Sequence, residues 1–479
     1  AQYALLSTAQ IRALDSDGAA LLTANTLAAL TSAQIQALDT LTFQSIVPEA
    51  IIGFTAKNIL GLNTATGFNQ VKALTSDQAA ALTAAQAPAF KSVTGFDVTK
   101  VIPNLSTAFV AALPTKSFST LTNYELGDLT DIQKDAIVQA CNEIIDGKFH
   151  DQFIVDPIQG GAGTSTNMNA NEVIANRALE ILGHPKSSYD IIHPNNHINM
   201  SQSTNDVYPT AIKITLYELI FKLKDSLRFL RDCFEEKAIE FKDVLKMGRT
   251  QLQDAVPMTL GQEFKTFAVM INDDIYRLRN AQALLKEVNL GATAIGTGIN
   301  TKAAYQRKVI SNLREVTGVD YVSAGDLIEA TQDTGSFVHI SGMLKSIAIK
   351  ISKICNDLRL LSSGPRAGFN EINLPPLQPG SSIMPGKVNP VMPEVVNQVA
   401  FEVIGADMTI AMASEHGQLQ LNVFEPLIAY KLFNSINMMR RAFYSLGEKC
   451  IKGITANEDV CMENILNSVT LVTCLNPII

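Results

Sequence analysis

The run GSSIMPGKVNP, Gly380 to Pro390, sets serines, a lysine and an asparagine among glycines and prolines. Two glycines, two prolines and two serines set among apolar residues make a loop, not the interior of an element. Ser381 supplies a hydroxyl, Lys387 a cation and Asn389 an amide, while Gly380 and Gly386 let backbone N–H groups approach a ligand closely. Such a set can take a weakly acidic proton from a carbon beside a carboxylate and hold the resulting anion. A serine hydroxyl is a poor base alone. It serves only where backbone N–H groups and a nearby cation hold its oxyanion.

Three further polar stretches could complete such a site. QGGAGTS, Gln159 to Ser165, carries Thr164; it lacks the following G-K-[ST] of a phosphate cradle, so a small loop permitting close approach is the better reading. HPNNHINMSQSTNDVYPT, His193 to Thr210, crowds hydroxyls and amides together, Ser203, Thr204 and Asn205 among them, and ends near Pro209, a residue suited to a helix's first turn. A solvated loop would share that composition, but this one leads into a long apolar-striped helix. GRTQLQDAVPMTLGQEF, Gly248 to Phe264, adds Thr250 and Gln251, interrupting one long helix and starting another.

The elements that position these loops are long rods. Leu216, Ile220, Leu223, Leu227, Leu230 and Phe234 recur at steps of four and three, and the same stepping runs through Leu260 to Leu278, Phe337 to Leu361, Val396 to Val403 and Leu432 to Cys450. Pro393 and Glu394 fall in the first turn of the fourth rod. Five helices of about 25 to 35 residues, each roughly 40 to 50 Å long, can bury their stripes only on one another. The expected fold is all-α, with an elongated central five-helix bundle. Rods of that length carry the polar loops tens of ångströms apart within one chain.

The first 120 or so residues differ, being rich in Ala, Leu, Thr, Ser and Gln. LSTAQIRAL at Leu6, LTSAQIQAL at Leu30 and LTSDQAAAL at Leu74 each place a Ser or Thr three residues before a Gln, the spacing of a capping box. These predict short helices without chemistry. Their separations of 24 and 44 residues argue against a strict solenoid. After them, Asp128 or Thr130 can cap a helix running through Ile137 and Cys141.

Composition bounds the rest. A net charge of -8 gives no basic footprint for nucleic acid or anionic membrane. The six cysteines form no C-x-x-C pair, so neither a zinc site nor a disulfide framework is indicated, and a reduced, cytoplasmic protein fits. No uninterrupted apolar run reaches the roughly 18 residues needed to span a bilayer. Only 18% of residues are charged, which favours oligomerisation.

From about Leu129 to the C-terminus, these motifs resemble the aspartase/fumarase superfamily of homotetrameric lyases, the GSSIMPGKVNP run looking like its signature loop. GGAGTS at Gly160, Gln251 after the GRT, and Glu425 within GQLQLNVFEP are closer to aspartases than to fumarases. The resemblance implies elimination of ammonia from L-aspartate to give fumarate. Ser381 is then the base at C3, forming an aci-carboxylate. Lys387 and Asn389 bind carboxylate, and Thr164, Ser203, Thr204, Asn205, Thr250 and Gln251 hold substrate or intermediate, with the Asn205 carbonyl on the α-amino group. His197 takes a structural or second-site role. No metal or organic cofactor is implied, and each site draws segments from three subunits. The implied division is residues 1–122 as the atypical segment, 123–208 as the rest of the lyase N-terminal domain, 209–450 as the bundle with its 380–390 loop, and 451–479 as the start of a truncated C-terminal region. Family members carry an arm like DAYYGVHTLRA where this chain has its Ala-rich segment. Fumarate hydratase on the same fold, or an impaired scaffold whose N-terminal segment binds a partner, are the alternative functions.

Overall fold

The computed structural model describes residues 5–60, 129–379, 383, 384 and 386–475, together with 62, 64, 65, 68–70, 74, 78, 81–83, 86 and 89. It divides into two compact units, Ala1–Asp131 and Ile132–Ile479.

The first unit corrects the expectation against a solenoid. Seven short helices, α1 (Thr8–Arg12), α2 (Ser16–Ala20), α3 (Ala24–Ala29), α4 (Ser32–Ala37), α5 (Thr40–Gln44), α6 (Pro48–Ile51) and α7 (Ala56–Leu60), start every eight residues. Ser7, Asp15, Thr23 and Thr31 cap the first four, with both halves of the capping box present at Ser7/Gln10 and Thr31/Gln34. Each helix buries one residue of the series Ile11, Ala19, Leu27, Ile35, Phe43, Ile51 and Ile59, and Leu22, Leu30, Leu38, Ile46, Phe54 and Leu62 form a second buried series. Helix α1 packs on α4, α2 on α5, α3 on α6 and α4 on α7, so three repeats make one superhelical turn.

Helices this short leave most backbone groups unpaired, and side-chain amides reach across turns to satisfy them. Gln34 Nε2 donates to Leu6 O at 2.7 Å and Asn58 Nδ2 to Leu30 O at 2.5 Å. After a hairpin of β1 (Thr64–Ala65) and β2 (Phe68–Asn69), Gln70, Gln78 and Gln86 repeat the contact, donating to Ile35 O and Leu38 O, Phe43 O and Ile46 O, and Ile51 O and Phe54 O. The spacing of 24 was one full turn. That of 44 carries the half-repeat phase shift that the hairpin introduces. Thr75, the third expected cap, lies outside the described residues.

In the second unit, α8 (Asp131–Ile145) follows Thr130 directly, whereas Asp128 lies outside the described residues. It packs through Ala136 and Ala140 on α9 (Thr164–Ile181), with Arg177 Nε 2.7 Å from Glu143 Oε2. The bundle then runs α10 (Thr204–Glu240), the hairpin β3 (Leu245–Thr250) and β4 (Gln253–Thr259), α11 (Leu260–Ala283), α12 (Ala303–Thr317), α13 (Leu327–Gln332), α14 (Gly335–Leu361), α15 (Val391–Glu415), α16 (Glu425–Lys449) and α17 (Glu458–Leu466). Helices α10, α11, α14, α15 and α16 are the five rods. Leu216, Leu223, Leu227, Leu278, Ile340, Ile354, Leu432 and Leu446 are fully buried in one continuous core. Each such side chain contributes about 1.5–3 kcal/mol by leaving water.

Cross-links fix the direction of each rod. Gln282 Nε2 donates to Tyr217 O at 2.7 Å, Thr334 Oγ1 meets Ser414 Oγ at 2.7 Å, and Asn289 Nδ2 donates to Asn205 O at 3.0 Å, all at the end where α10 begins. At the end where α10 finishes, Lys237 Nζ donates to Ile454 O at 2.8 Å and Asn397 Nδ2 to Ser352 Oγ at 2.8 Å. Thus α10, α14 and α16 run one way and α11 and α15 the other.

Two local expectations change. Pro209 is not in the first turn of its helix but at its sixth residue, because Ser203 caps α10 with a full capping box to Asp206. The segment after Gly248 is a β-hairpin whose turn residues Gln251 and Leu252 both have positive φ, 54° and 62°, the backbone that lets a two-residue turn follow the strand twist. Helix α15, moreover, is long and apolar enough by length and composition to cross a membrane.

Candidate active site

The glycine-rich approach to α9 is a close-packed joint. Gly161, Ala162 and Gly163 have φ of 91°, 56° and 92°. A Cβ on Gly163 would lie 2.5 Å from Cδ1 of Tyr208, so only glycine lets this turn sit against α10. Thr164, exposed at the start of α9, donates from Oγ1 to Gly161 O at 2.8 Å. Asn167, one turn on, donates from Nδ2 to Thr204 Oγ1 at 2.9 Å and to Asn199 Oδ1 at 3.1 Å. Thr164 and the Ser203–Asn205 run therefore share one locality.

Within that run Ser203 Oγ accepts from Asn205 N at 3.3 Å, and Asn205 Nδ2 donates to Ala294 O at 2.7 Å. With its NH₂ so engaged, the Asn205 amide presents its carbonyl oxygen, the atom suited to an ammonium group. Asp206, fully buried, accepts from Ser203 N through Oδ1 at 2.9 Å, and from Gly291 N and Thr293 N through Oδ2 at 3.0 Å each. Burial pushes its carboxyl upward, against the backbone donors that favour the charge. His197 Nδ1 accepts from His193 N at 2.9 Å, and burial followed by the neighbouring His193 lowers its pKa. The bond braces the turn that His193 opens.

Beside this locality lies a buried titratable group. Glu425, the first residue of α16, is 3% exposed, and burial raises its carboxyl to about 8, opposed by the Lys213 ammonium. Lys213, lowered by burial, donates to Glu287 O at 2.7 Å. Burial also holds the Tyr208 phenol up at about 12.

Thr250 and Gln251 stand exposed at the tip of the β3–β4 hairpin. Its base is pinned by charge: Lys246 lies 2.6 Å from both Glu263 and Glu371, and Arg249 Nη1 donates to Glu371 Oε1 at 2.6 Å while its guanidinium stacks 4.2 Å over the Phe369 ring. Glu371 belongs to the segment that leads into the signature loop. In that loop Lys387 and Asn389 are exposed, Gly386 has φ of 79°, and Lys387 N bonds Met384 O at 3.2 Å. Ser381 lies outside the described residues.

The eight described site residues thus fall into two sets. Thr164, Ser203, Thr204 and Asn205 sit where α10 begins, whereas Thr250, Gln251, Lys387 and Asn389 sit beyond where it ends. Helix α10 has 37 residues. At 1.5 Å per residue that is about 55 Å, far beyond the reach of any one small substrate. Asp206, Asn167 and Asn289 were not anticipated as site residues; the capping-box spacing of Ser203 and Asp206 was the one signal available.

A family model described as "Lyase" matches residues 115–405. The chain is 62% identical to an aspartate ammonia-lyase of Helicobacter pylori over 353 residues, covering 74% of this chain and 75% of that one. It is 59% identical to the aspartate ammonia-lyase of Escherichia coli K12 over 345 residues, 72% of each chain. Among solved structures, a fumarate lyase:delta crystallin from Brucella melitensis bound to cobalt superposes with a TM-score of 0.73 at 55% identity, covering 76% of this chain and 79% of that one. A class II fumarase from Schistosoma mansoni gives 0.71 at 34% identity over 75% and 78%. The bundle and its divided polar loops define a helical lyase. The chain belongs to the aspartase/fumarase superfamily. The solenoid helices α1–α7 precede the matched family region.

Proposed function

We propose that this chain is an aspartate ammonia-lyase that reversibly eliminates ammonia from L-aspartate to give fumarate, in sites assembled from several copies of the chain. The observation that carries this reading is identity near 60% to aspartate ammonia-lyases over most of the chain, joined to a split of the polar loops that one copy cannot close. The Ser381 alkoxide takes the C3 proton, the C–H electrons form an aci-carboxylate, and their return expels the amine as the C–N bond breaks. Lys387 offsets the charge of the developing dianion and Asn389 hydrogen-bonds its carboxylate, Thr250 and Gln251 donate to it, Thr164, Ser203 and Thr204 hold carboxylate, and the Asn205 side-chain carbonyl receives the ammonium. No step calls for a metal or organic cofactor.

Assembly has its own support in α15. Val395, Phe401, Met408 and Met412 are exposed along it, and only 33% of its most apolar window is buried within one chain. An apolar stripe of that length on a bundle rod is suited to covering by other copies, and a homotetramer with composite sites is the arrangement proposed.

The test is ultraviolet absorbance of fumarate released from L-aspartate and, separately, from L-malate. Release from aspartate alone is expected. Release from malate alone would select the hydratase, and none from either would leave the scaffold reading.

A further inference from the structure

Resting on the substrate-binding role proposed for Ser203, Thr204 and Asn205, we propose that Asp206 is a positioning residue for the elimination, setting Asn205 by welding the start of α10 to the 289–294 loop. A helix cap needs one carboxylate oxygen, and Oδ1 fulfils that need through Ser203 N at 2.9 Å. The second oxygen does something a cap does not require. Oδ2 accepts two backbone N–H groups, Gly291 N and Thr293 N, each at 3.0 Å, from a loop some ninety residues away in sequence that takes positive φ at both positions, 94° and 60°. That loop holds Asn205 from two sides. Ala294 O receives the Asn205 side-chain amide at 2.7 Å, and Asn289 Nδ2 donates to the main-chain carbonyl oxygen of Asn205 at 3.0 Å.

The second contact has a backbone cause. Pro209 lies four residues after Asn205 in α10 and has no N–H, so Asn205 O loses its helical partner. Asn289, 1% exposed, takes the vacated place and also reaches Thr331 Oγ1 at 3.2 Å. The loop therefore dictates the Asn205 rotamer, and Asp206 holds the loop. Because Ala294 O can accept only from the NH₂ end, the weld also decides that the carbonyl end of the amide faces outward.

Asp206→Asn tests this in the full-length protein. An asparagine offers one acceptor oxygen and puts an NH₂ against N–H donors, so either the cap or the loop is lost. The expected result is a rise of about tenfold in KM for L-aspartate with kcat changed less than about threefold, corresponding to lost ground-state binding. Because the effect passes through Asn205, Asp206→Asn should weaken L-aspartate binding, read by calorimetry, less than about twofold further in an Asn205→Ala background, which turns over too little for kinetics. A KM unchanged from wild type, or a full effect persisting in the Asn205→Ala background, would overturn the proposal. Should Asp206→Asn fail to fold, Asn289→Ala loosens the same contact from the loop side with the cap intact, and it must show the same KM rise and the same dependence on Asn205. Amide hydrogen exchange at Gly291 and Thr293, protected in the wild type, must quicken in Asp206→Asn; unchanged exchange would overturn the weld even if the wild type released no fumarate, the outcome that instead sinks the lyase reading.

Discussion

Glu371→Gln should weaken the fold and loosen the hairpin that carries Thr250. Glu371 is fully buried, 2.6 Å from Lys246, which is 2% exposed, and 2.6 Å from the part-buried Arg249. The glutamine keeps the shape but removes the charge that balances two cations. Breaking a buried pair from one side costs about 3–5 kcal/mol, because the partner is left uncompensated. Lys246 would retain Glu263 at 2.6 Å, and Arg249 would retain the Phe369 face, which places this loss at the lower end. A cost of about 3 kcal/mol corresponds to roughly a 150-fold shift in the folding equilibrium. Urea unfolding at fixed protein concentration measures it, read as a change in midpoint at constant slope. Lys246→Met combined with Glu371→Gln should cost less than the sum of the single changes by about 1–3 kcal/mol, since the two groups share one interaction. A Glu371→Gln midpoint within about 0.5 kcal/mol of wild type, or strict additivity in the double variant, would refute the reasoning.

Other perturbations test other parts of the account. Lys387→Ala should raise KM for L-aspartate while leaving the melting temperature unchanged, because the side chain is exposed and its loss removes no packing; parallel kinetics and thermal melts decide this. Ser381→Ala and Asn205→Ala should each abolish or nearly abolish turnover with the oligomer intact by size-exclusion chromatography. Unfolded together and refolded as a 1:1 mixture, they should recover about a quarter of wild-type activity, since a site drawing its two segments from different copies is intact with probability one half times one half. Glu425 has a folded pKa of about 8, above its unfolded value, so the folded state binds the extra proton and stability falls as pH rises from the ordinary carboxylate range through 8. Glu425→Gln should flatten that fall, and thermal melts from pH 5 to 9 showing the same slope in both proteins would contradict it.

The bundle was legible because each rod repeats its apolar residues at steps of three and four over many turns, a pattern little else produces. Rod length alone also foretold that Asn205 and Lys387 could not meet within one chain. The solenoid hid its order for a physical reason. Helices of four to six residues hold one to three buried side chains each, so Ile11, Ala19, Leu27 and Ile35 recur at eight, a period of the superhelix and not of any single helix. The caps at Ser7 and Thr31 gave the helices, while the Gln34-to-Leu6 contact that closes a turn is visible only in three dimensions. The β3–β4 hairpin escaped notice because Gly248 and Pro257 interrupt its alternation, and because Gln251 and Leu252 are unusual choices for positive φ. Asp206 closes the capping box of Ser203, but its second oxygen bonds residues whose nearness no local pattern reveals.

The most direct measurement is the initial rate of fumarate formation from L-aspartate by the purified full-length chain, with Ser381→Ala as control. Fumarate must accumulate with aspartate, remain absent with L-malate, and vanish in the serine variant. A wild-type chain that releases none from aspartate, or a Ser381→Ala chain that matches it, contradicts the account.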